Sequence, residues 1–538
     1  MDKRTGQGDR ISRRVVLRSA GIAAGAIGVT ALGVACAPAS APVAPAAASL
    51  APKRGGTLTY VRSTDAITLD PANAGDLGGS GNTITMIFEG LVEYTPDLEI
   101  RPALATKWEV KDTVWTFTLR TGVKFHDGTP FNATATKAHF DRLLGAEKPL
   151  RANQWVPFVD KVEVVDEATI RFTTKFIDGY FLPRLADTSA YIVSPDAFKK
   201  FGKDISKNAV GTGPFKFVEW VKDDRITLAR NDDYWGDKPY LDKVVIRPVP
   251  DAEARAIALE SGDAQLVSGL NPEQVARLAG NAKLAVIQKP TTRNQFVGMA
   301  SLKKPWSDVR VRQALNHAID KESIVKNLFL GTAEVLNGAV APGVADYVPV
   351  SGFPYDVAKA KALLTQAGLP NGFSATLVGT KGQIAKDFEL QQFLQQQFKA
   401  IGVDVKIESL ENAKYLELLR MDPAVSPLQM WMDNWGGVNA ADVIENRYGC
   451  DSFRPKGNNT AGFCERSVSD LTALASRTTD PVKRLALLKE AQEKVALAAP
   501  SIWLFVSKSI QASEKRLHGA FISRNGSVYA DEHTWLEA

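Results

Sequence analysis

The chain has 538 residues, of which 23% are charged and 45% are hydrophobic, and its formal net charge is +5. This composition is ordinary for a globular protein, and the length predicts about two to four structural units. The charge is too small to indicate nucleic-acid binding, and no basic run is interleaved with aromatic residues. A nucleic-acid partner is therefore not expected.

Residues 1–36 have the layout of an export signal. A basic segment precedes the apolar run IAAGAIGVTALGVAC. This run is too short and too rich in small residues to be expected to span a membrane. The stretch SRRVVLR resembles the twin-arginine export motif, with Arg13 and Arg14 as the arginine pair. The stretch LGVAC resembles a lipobox in which Cys36 is acylated, although Gly33 stands where a larger apolar residue is usual.

Residues 37–53 form an Ala/Pro-rich tether, because proline without periodicity keeps a chain extended and unpacked. This composition also argues against the alternative, in which the apolar run is a buried N-terminal helix. A lipid, a tether and a folded body together predict a periplasmic protein, or one held at the outer face of the cytoplasmic membrane.

The body is predicted to mix α and β structure without internal repeats. Runs of β-branched and aromatic residues predict strands at 57–61, 115–119, 161–165, 169–174 and 243–249. The stretch KPTTRNQF is expected to start a further strand near residue 290.

Helices are predicted later in the chain, at 308–329, 356–368 and 388–402. The second of these has a sound C-terminal stop, since Gly368 is followed by Pro370. The first 250 residues are thus rich in predicted strands, and residues 300–420 alternate helix and strand. This change predicts at least two lobes with a boundary near residue 290.

The sequence has three cysteines, and two of them follow Cys36 at a distance, Cys450 and Cys464. Outside the cytoplasm a spaced pair is most simply a disulfide, with two unpaired buried thiols as the alternative. Zinc binding is disfavoured, because neither cysteine belongs to a CxxC motif or stands beside a histidine.

The sequence contains no recognisable catalytic motif. Its five histidines form no HExxH motif, and GGSG at 78–81 lacks the second glycine of a nucleophile elbow. No serine or cysteine has a histidine nearby in sequence to suggest a dyad. We therefore expect neither an enzyme nor a cofactor or metal site, and a secreted enzyme or a structural lipoprotein is the disfavoured alternative.

A series of motifs runs in order through residues 54–520. They are GGTL (55–58), TLDP (68–71), IFEGL (87–91), PALA (102–105), RTGVKFHDG (120–128), GTGPF (211–215), RNDDYWG (230–236), VRQAL (311–315) and AID (318–320). In this combination the chain resembles the extracellular solute-binding proteins of ABC importers, family 5, the peptide/nickel-type class. The motifs identify the family specifically, but they say little about which ligand is bound.

The resemblance implies an α/β fold of the two-lobed periplasmic-binding-protein type II, with an extra inserted domain. One lobe would comprise 54–90, 206–288 and 506–538, the inserted domain 91–205, and the other lobe 289–505. It also implies a monomer that binds its ligand in the cleft between the lobes, closes around it, and presents it to membrane permease subunits.

The stretch WMDNWGGVNAADV, residues 431–443, falls where the family carries a cleft-lining loop. We predict a loop because the glycines would break a helix, and the alternative is that Trp431 and Trp435 share the face of a buried helix. On the loop interpretation the two indoles are flat walls for the ligand, and Asp433 and Asn434 make polar contacts. Asp65 and Arg293 are expected to face them from the rest of the cleft.

The ligand is the least determined part of the prediction. The resemblance implies an Asp for a peptide's ammonium group where this chain has Asn434, and residues 327–358 contain no basic residue for its carboxylate. An unpaired buried ion is costly, so this lack of charges disfavours a zwitterion. A peptide is still the first expectation, an oligosaccharide, opine or other non-peptide solute is the alternative, and nickel is disfavoured by the few histidines.

Overall fold

A computed structural model describes residues 51–75, 77–380, 386–523 and 528–537. Strands in the first half are β1 (Thr57–Arg62), β2 (Val92–Tyr94), β3 (Ile100–Pro102), β4 (Ala105–Lys111), β5 (Val114–Leu119), β6 (Val159–Asp166), β7 (Thr169–Thr174), β8 (Phe215–Val221), β9 (Arg225–Arg230), β10 (Lys243–Pro248) and β11 (Leu266–Ser268). Later strands are β12 (Leu284–Met299), β13 (Ala333–Val335), β14 (Phe373–Thr380), β15 (Val403–Leu410), β16 (Met430–Trp435), β17 (Ser501–Glu514), β18 (Leu517–His518), β19 (Phe521–Ile522), β20 (Val528–Tyr529) and β21 (Trp535–Leu536).

Helices surround these strands. The α-helices up to residue 317 are α1 (Asn82–Ile87), α2 (Ala133–Leu144), α3 (Phe181–Leu185), α4 (Pro195–Phe201), α5 (Ala252–Ser261), α6 (Pro272–Ala279) and α7 (Val309–His317). They are followed by α8 (Lys321–Ser323), α9 (Val357–Gln366), α10 (Asp387–Ala400), α11 (Asn412–Leu419), α12 (Ala440–Tyr448), α13 (Arg466–Ser476) and α14 (Pro481–Ala498). Short 3-10 turns occupy Leu150–Gln154, Thr188–Ala190 and Gly202–Lys207, and π turns occupy Leu77–Gly81 and Ile324–Leu328.

One large sheet of 11 strands organises the described chain, in the order β15-β14-β16-β12-β17-β11-β1-β10-β9-β8, with β13 added on β17. Its two long central strands, β12 and β17, pair antiparallel from Leu284 opposite Glu514 to Gly298 opposite Ser501. Strands from before residue 270 lie on one side of this pair, and β14, β15 and β16 lie on the other. The two long strands therefore connect both halves of the sheet.

A separate antiparallel sheet, β4-β5-β7-β6, lies within residues 105–174. In β5 and β7 buried residues alternate with less buried ones, as expected for a sheet with one covered face. Their inward rings meet those of the neighbouring helices, with Phe140 4.8 Å and Phe181 5.5 Å from Phe172 between ring centroids. This sheet has its own aromatic core.

The five strands predicted before residue 250 are confirmed within a few residues. The strand expected to start near residue 290 begins at Leu284 instead and continues unbroken through that segment. The single helix expected over 308–329 is wrong, because α7 ends at His317 and a new helix begins after Asp320. The Asp320 carboxylate accepts hydrogen bonds from the backbone N–H and the hydroxyl of Ser323, at 3.0 and 2.6 Å. This N-cap starts a separate helix.

The loop expected from residue 431 is corrected as well, because β16 is a strand that pairs with β12 and β14. Both of its faces are buried over Met430–Asp433, so its sequence lacks the alternation that reveals a half-buried strand. Gly436 and Gly437 end the strand, and α12 follows at Ala440.

The disulfide between Cys450 and Cys464 is present, and the two Cα atoms lie 4.6 Å apart. The export signal, the arginine pair Arg13 and Arg14, the lipidation site Cys36 and most of the tether lie outside the described residues. None of the helices in the described ranges is long and apolar enough to cross a membrane. The chain from Pro52 onward forms one compact unit, and its division into lobes stays a prediction.

Candidate functional site

A cavity of about 650 Å³ opens between the segments that flank the two long strands. Its lining comes from residues 74–75, 85–101, 151, 154, 183–191, 214, 234, 292–293, 343, 345, 436–438, 521, 523 and 531–532. Cavities of roughly 300–1,000 Å³ enclose most of a small ligand. The lining therefore brings together distant parts of the chain around a space of ligand size.

Glu89 is the most buried acid of the lining. Its carboxylate accepts hydrogen bonds from the Thr212 hydroxyl at 2.7 Å, the Tyr234 hydroxyl at 2.7 Å and the Trp235 indole N–H at 2.8 Å. Burial raises its pKa to about 8, although the three donors act in the opposite direction. These three donors already bond to the Glu89 carboxylate, so Glu89 forms part of the cavity wall and adds negative potential when it is ionised.

Three further carboxyl groups lie close to Glu89, on Glu93, Asp531 and Glu532. Burial raises the pKa of all three, and the charge of Asp531 raises the pKa of Glu532 further. Arg101 forms an ion pair with Glu93 at 2.8 Å and acts against this effect at Glu93. We name Glu93, Asp531 and Glu532 the acidic wall. A cationic ligand group beside these three acids would relieve their mutual repulsion.

Three arginines line the same cavity. Arg101 is paired with Glu93, and Arg151 is paired with Asp187 at 2.7 Å. Arg293 instead donates from Nη1 to the amide oxygen of Asn434 at 2.8 Å, and it forms no ion pair within the described chain. The charge of Arg293 is therefore the uncompensated positive charge among these three arginines.

Gly436 allows the Arg293 side chain to lie across the end of β16. A Cβ atom at this position would lie 2.9 Å from Cγ of Arg293 and 3.1 Å from the carbonyl oxygen of Thr292. Such contacts are tighter than side chains normally make, so a larger residue would displace the arginine. The glycine after β16 therefore contributes to the position of a charged group in the cavity.

Asp433 points away from this lining and forms a buried ion pair with Arg447 of α12. The Arg447 guanidinium also covers the Trp435 ring, with Cζ 4.7 Å from the ring centroid. Both partners of the pair are at most 7% exposed. Asp433 therefore has its counter-charge inside the protein and is not a free anchor for a ligand cation.

The six predicted site residues are thus not brought together in the cavity. Arg293 lines it, with Asn434 as its hydrogen-bond partner. Trp431 is only 1% exposed and packs in the core, where a Cβ atom on the opposite residue Gly298 would lie 2.3 Å from its ring. Trp431 is therefore not a wall in this conformation, because its side of the strand faces the protein interior.

Trp435 is partly buried beneath Arg447, so one face of its ring is already covered. Asp65 accepts hydrogen bonds from the Trp220 indole N–H at 3.0 Å and from the backbone N–H of Asp223 at 2.9 Å. Asp65 therefore ties two loops together. Any ligand contacts of Trp435 and Asp65 remain predictions.

Sequence reasoning missed the acidic wall together with Arg101 and Arg151. Glu89 is part of the motif IFEGL, and its hydrogen-bond donors Thr212, Tyr234 and Trp235 are part of GTGPF and RNDDYWG. That these motifs meet at one carboxylate is a property of the fold. Asp531 and Glu532 lie near the end of the chain and carry no motif.

The fold is that of the type II periplasmic binding proteins, the two-lobed class that encloses a solute between its lobes. The model of the bacterial extracellular solute-binding proteins, family 5 Middle, matches residues 99–451. The chain belongs to this family, the family 5 solute-binding proteins of ABC importers.

Three relatives illustrate the match. The glutathione-binding protein GsiB of Salmonella typhimurium is 34% identical over 461 residues, which cover 85% of this chain and 90% of that protein. DppA from Helicobacter pylori in complex with the peptide STSA is 30% identical, has a TM-score of 0.70, and the match covers 89% and 99% of the two chains. AgaA from A. tumefacien R10 in complex with agropinic acid is 28% identical, has a TM-score of 0.69, and the match covers 90% and 99%.

Proposed function

We propose that this protein captures a short peptide in the cavity and presents it to the permease of an ABC importer, without acting on it as an enzyme. The peptide's ammonium group binds at the acidic wall, and its carboxylate binds at Arg293. The observation that carries this proposal is the presence of both uncompensated signs of charge in one cavity of about 650 Å³.

A zwitterion suits this arrangement because it supplies the charge that each wall lacks. The guanidinium of Arg293 keeps donors for a carboxylate, since Asn434 engages it as a neutral acceptor. The acidic wall has three acids, and the one arginine that forms an ion pair with them among the described residues is Arg101, at Glu93. His533 lies 3.6 Å from Glu532 and adds charge only when it is protonated. A neutral solute would leave both sets of charges desolvated without partners, which is costly.

The names of the relatives support a peptide. Glutathione and the peptide STSA are both short chains with a free ammonium group and free carboxylate. Their terminal charges fit the recognition described above. The absence of basic residues over 327–358 does not count against a peptide, because Arg101, Arg151 and Arg293 supply the cations from other segments.

A second candidate ligand is an opine, a conjugate that also carries carboxylate groups. The similarity to AgaA, whose structure contains agropinic acid, favours this alternative. An opine would use Arg293 in the same way as a peptide carboxylate. The two ligands differ at the acidic wall, where a peptide's primary ammonium group makes the stronger contact.

Closure of two lobes around the ligand is part of the proposal. Residues 54–90, 206–288 and 506–538 form one lobe, 289–505 form the other, and 91–205 are inserted. The course of β12 and β17 supports this division, since both cross from one half of the sheet to the other. Export by the arginine pair and anchoring at Cys36 would place the monomer at the outer face of the cytoplasmic membrane.

A ligand screen tests the peptide assignment. Thermal unfolding is measured with the tetrapeptide Ser-Thr-Ser-Ala, its N-acetylated and C-amidated forms, glutathione, agropinic acid and a neutral oligosaccharide. A ligand at 100 times its Kd adds about 2.7 kcal/mol to the free energy of unfolding, so tight ligands raise Tm clearly. We expect the unblocked peptides to give the largest shifts and each blocked form a smaller one.

Calorimetric titration of Arg293→Gln then tests the carboxylate contact. The variant should bind the free peptide about tenfold more weakly or worse, while its affinity for the C-amide changes little. Lys489→Gln is the matched control, since Lys489 is an exposed residue of α14 and is not part of the cavity lining. The assignment would be refuted if the neutral oligosaccharide gave the largest thermal shift, or if the free peptide bound no better than its N-acetylated and C-amidated forms.

A further inference from the structure

The end of β16 combines an acid and an arginine that face different surroundings. Asp433 is buried on the core side, and its neighbour Asn434 bonds to Arg293 on the cavity side. Adjacent residues of a strand point to opposite faces, so the two charged groups are separated by the strand itself. Asn434 joins the two groups, since its backbone N–H donates to the Asp433 carboxylate at 2.8 Å and its amide oxygen accepts from Arg293 at 2.8 Å.

Arg447 neutralises Asp433 and is itself held on several sides. Its Nη2 atom bonds to the Asp433 carboxylate, and its Nη1 atom donates to the carbonyl oxygen of Asn458 at 3.2 Å. Its Cζ atom lies 4.7 Å from the Trp435 ring centroid and 5.2 Å from that of Phe296. A guanidinium fixed by two hydrogen bonds and two rings has little freedom to leave the acid.

The disulfide-closed loop contributes to this position. Asn458 belongs to the loop between Cys450 and Cys464, and its carbonyl oxygen is one of the acceptors of Arg447. Arg454 of the same loop interacts electrostatically with both members of the pair but donates no hydrogen bond to Asp433 among the described contacts. Arg447 is therefore the direct partner of the acid.

We propose that Arg447 is a specificity-determining residue for the ligand: by cancelling the charge of Asp433, it leaves Arg293 as the net charge at the end of β16 and so selects ligands that place a carboxylate there. Without Arg447, the buried acid would act through the strand on the same region and offset Arg293. Asp433 is buried, and a charge in a medium of low dielectric is screened less than one in water, although Arg293 itself is exposed.

The inference rests on the proposed function only in placing a ligand carboxylate at Arg293. It adds a residue that touches no ligand and acts through charge. A purely structural role for Arg447 would change stability and the affinity for all ligands alike. A charge role changes the ratio of affinities for a carboxylate and for its amide, and this ratio is the quantity to measure.

The experiment compares Arg447→Gln, Asp433→Asn and the double variant Asp433→Asn/Arg447→Gln with the unaltered protein. The probes are Ser-Thr-Ser-Ala as free acid and as C-amide, titrated by calorimetry at pH 7. The unaltered protein should prefer the acid by about tenfold or more, and Arg447→Gln should lose most of that preference. The double variant should regain it, because an uncharged pair again leaves Arg293 as the net charge.

Asp433→Asn keeps the experiment decisive if Arg447→Gln does not fold with an unpaired buried acid. This variant adds net positive charge, so its preference for the acid should equal or exceed that of the unaltered protein. A preference that falls in Asp433→Asn, survives in Arg447→Gln, or is lost in the double variant would overturn the proposal.

Agropinic acid separates this proposal from the peptide assignment. If the protein binds agropinic acid and no peptide, the proposed peptide function fails, and the same variants are compared on that acid. Arg447→Gln should then weaken its binding about tenfold and the double variant should restore it. Absence of binding to every carboxylate-bearing probe, together with binding of the neutral oligosaccharide, would overturn both proposals.

Discussion

Lys321 offers a test of how burial controls charge in this fold. The side chain is 6% exposed at the start of α8, and its Nζ atom has no hydrogen-bond partner among the described residues. Burial lowers its pKa from 10.5 to about 8, with no counter-charge to offset the effect. An amine that stays protonated at pH 7 therefore destabilises the folded state.

The size of this effect follows from the pKa difference. A drop from 10.5 to about 8 corresponds to about 3 kcal/mol at pH 7, since each unit is about 1.4 kcal/mol. Between these two values the unfolded chain binds a proton that the folded chain does not, so stability rises with pH across this window. Below about pH 8 the full penalty is present.

Lys321→Met removes the charge and keeps a long, flexible side chain for the core. The variant should exceed the unaltered protein by about 3 kcal/mol in free energy of unfolding at pH 7, and the difference should shrink toward zero by about pH 10.5. Urea unfolding at several pH values between 6 and 10.5 measures this difference. Lys326→Met is the matched control, because Lys326 is exposed in the following turn.

The control should change stability by less than about 0.5 kcal/mol at every pH, as exposed substitutions usually do. A Lys321→Met variant that is less stable at pH 7, or whose advantage is the same at pH 7 and pH 10.5, would refute the reasoning. The first result would mean that the amine has a stabilising partner. The second would mean that packing, and not charge, accounts for the change.

Two further predictions concern the packing of β16 and the disulfide. Gly298→Ala should destabilise the protein by about 1–3 kcal/mol in urea unfolding, because the added methyl overlaps the Trp431 ring, whereas Gly280→Ala, which has room, should be near neutral; equal effects would contradict this account. Replacing Cys450 and Cys464 by serine should lower the free energy of unfolding by about 3 kcal/mol, the chain-entropy value for a loop of this length. A variant with the same urea midpoint as the unaltered, oxidised protein would contradict this prediction.

The sequence by itself determined the local elements and the family. Strands such as β5 and β7 were predictable because one covered face makes buried and exposed residues alternate, which is visible in a single chain. The ordered series of motifs identified a family 5 solute-binding protein, and the family model and relatives confirm it. The disulfide was predictable from compartment and spacing, because both are properties of the chain alone.

Only the tertiary structure decided the site. β16 was mistaken for a loop because a strand buried on both faces has no alternation, and two glycines follow it. Its burial turned Trp431 from a candidate ligand wall into a core residue, and Arg447 took up the charge of Asp433. These outcomes depend on which residues of β12 and α12 lie opposite the strand.

The groups that we propose to bind the ligand are likewise brought together only by the tertiary structure. Arg293 and the acidic wall come from segments at least 200 residues apart, and nothing local to Asp531 or Glu532 distinguishes them from other surface acids. They acquire shifted pKa values because folding removes water from them and places them beside one another. Desolvation and charge proximity are properties of the assembled fold, and a sequence pattern carries no record of them.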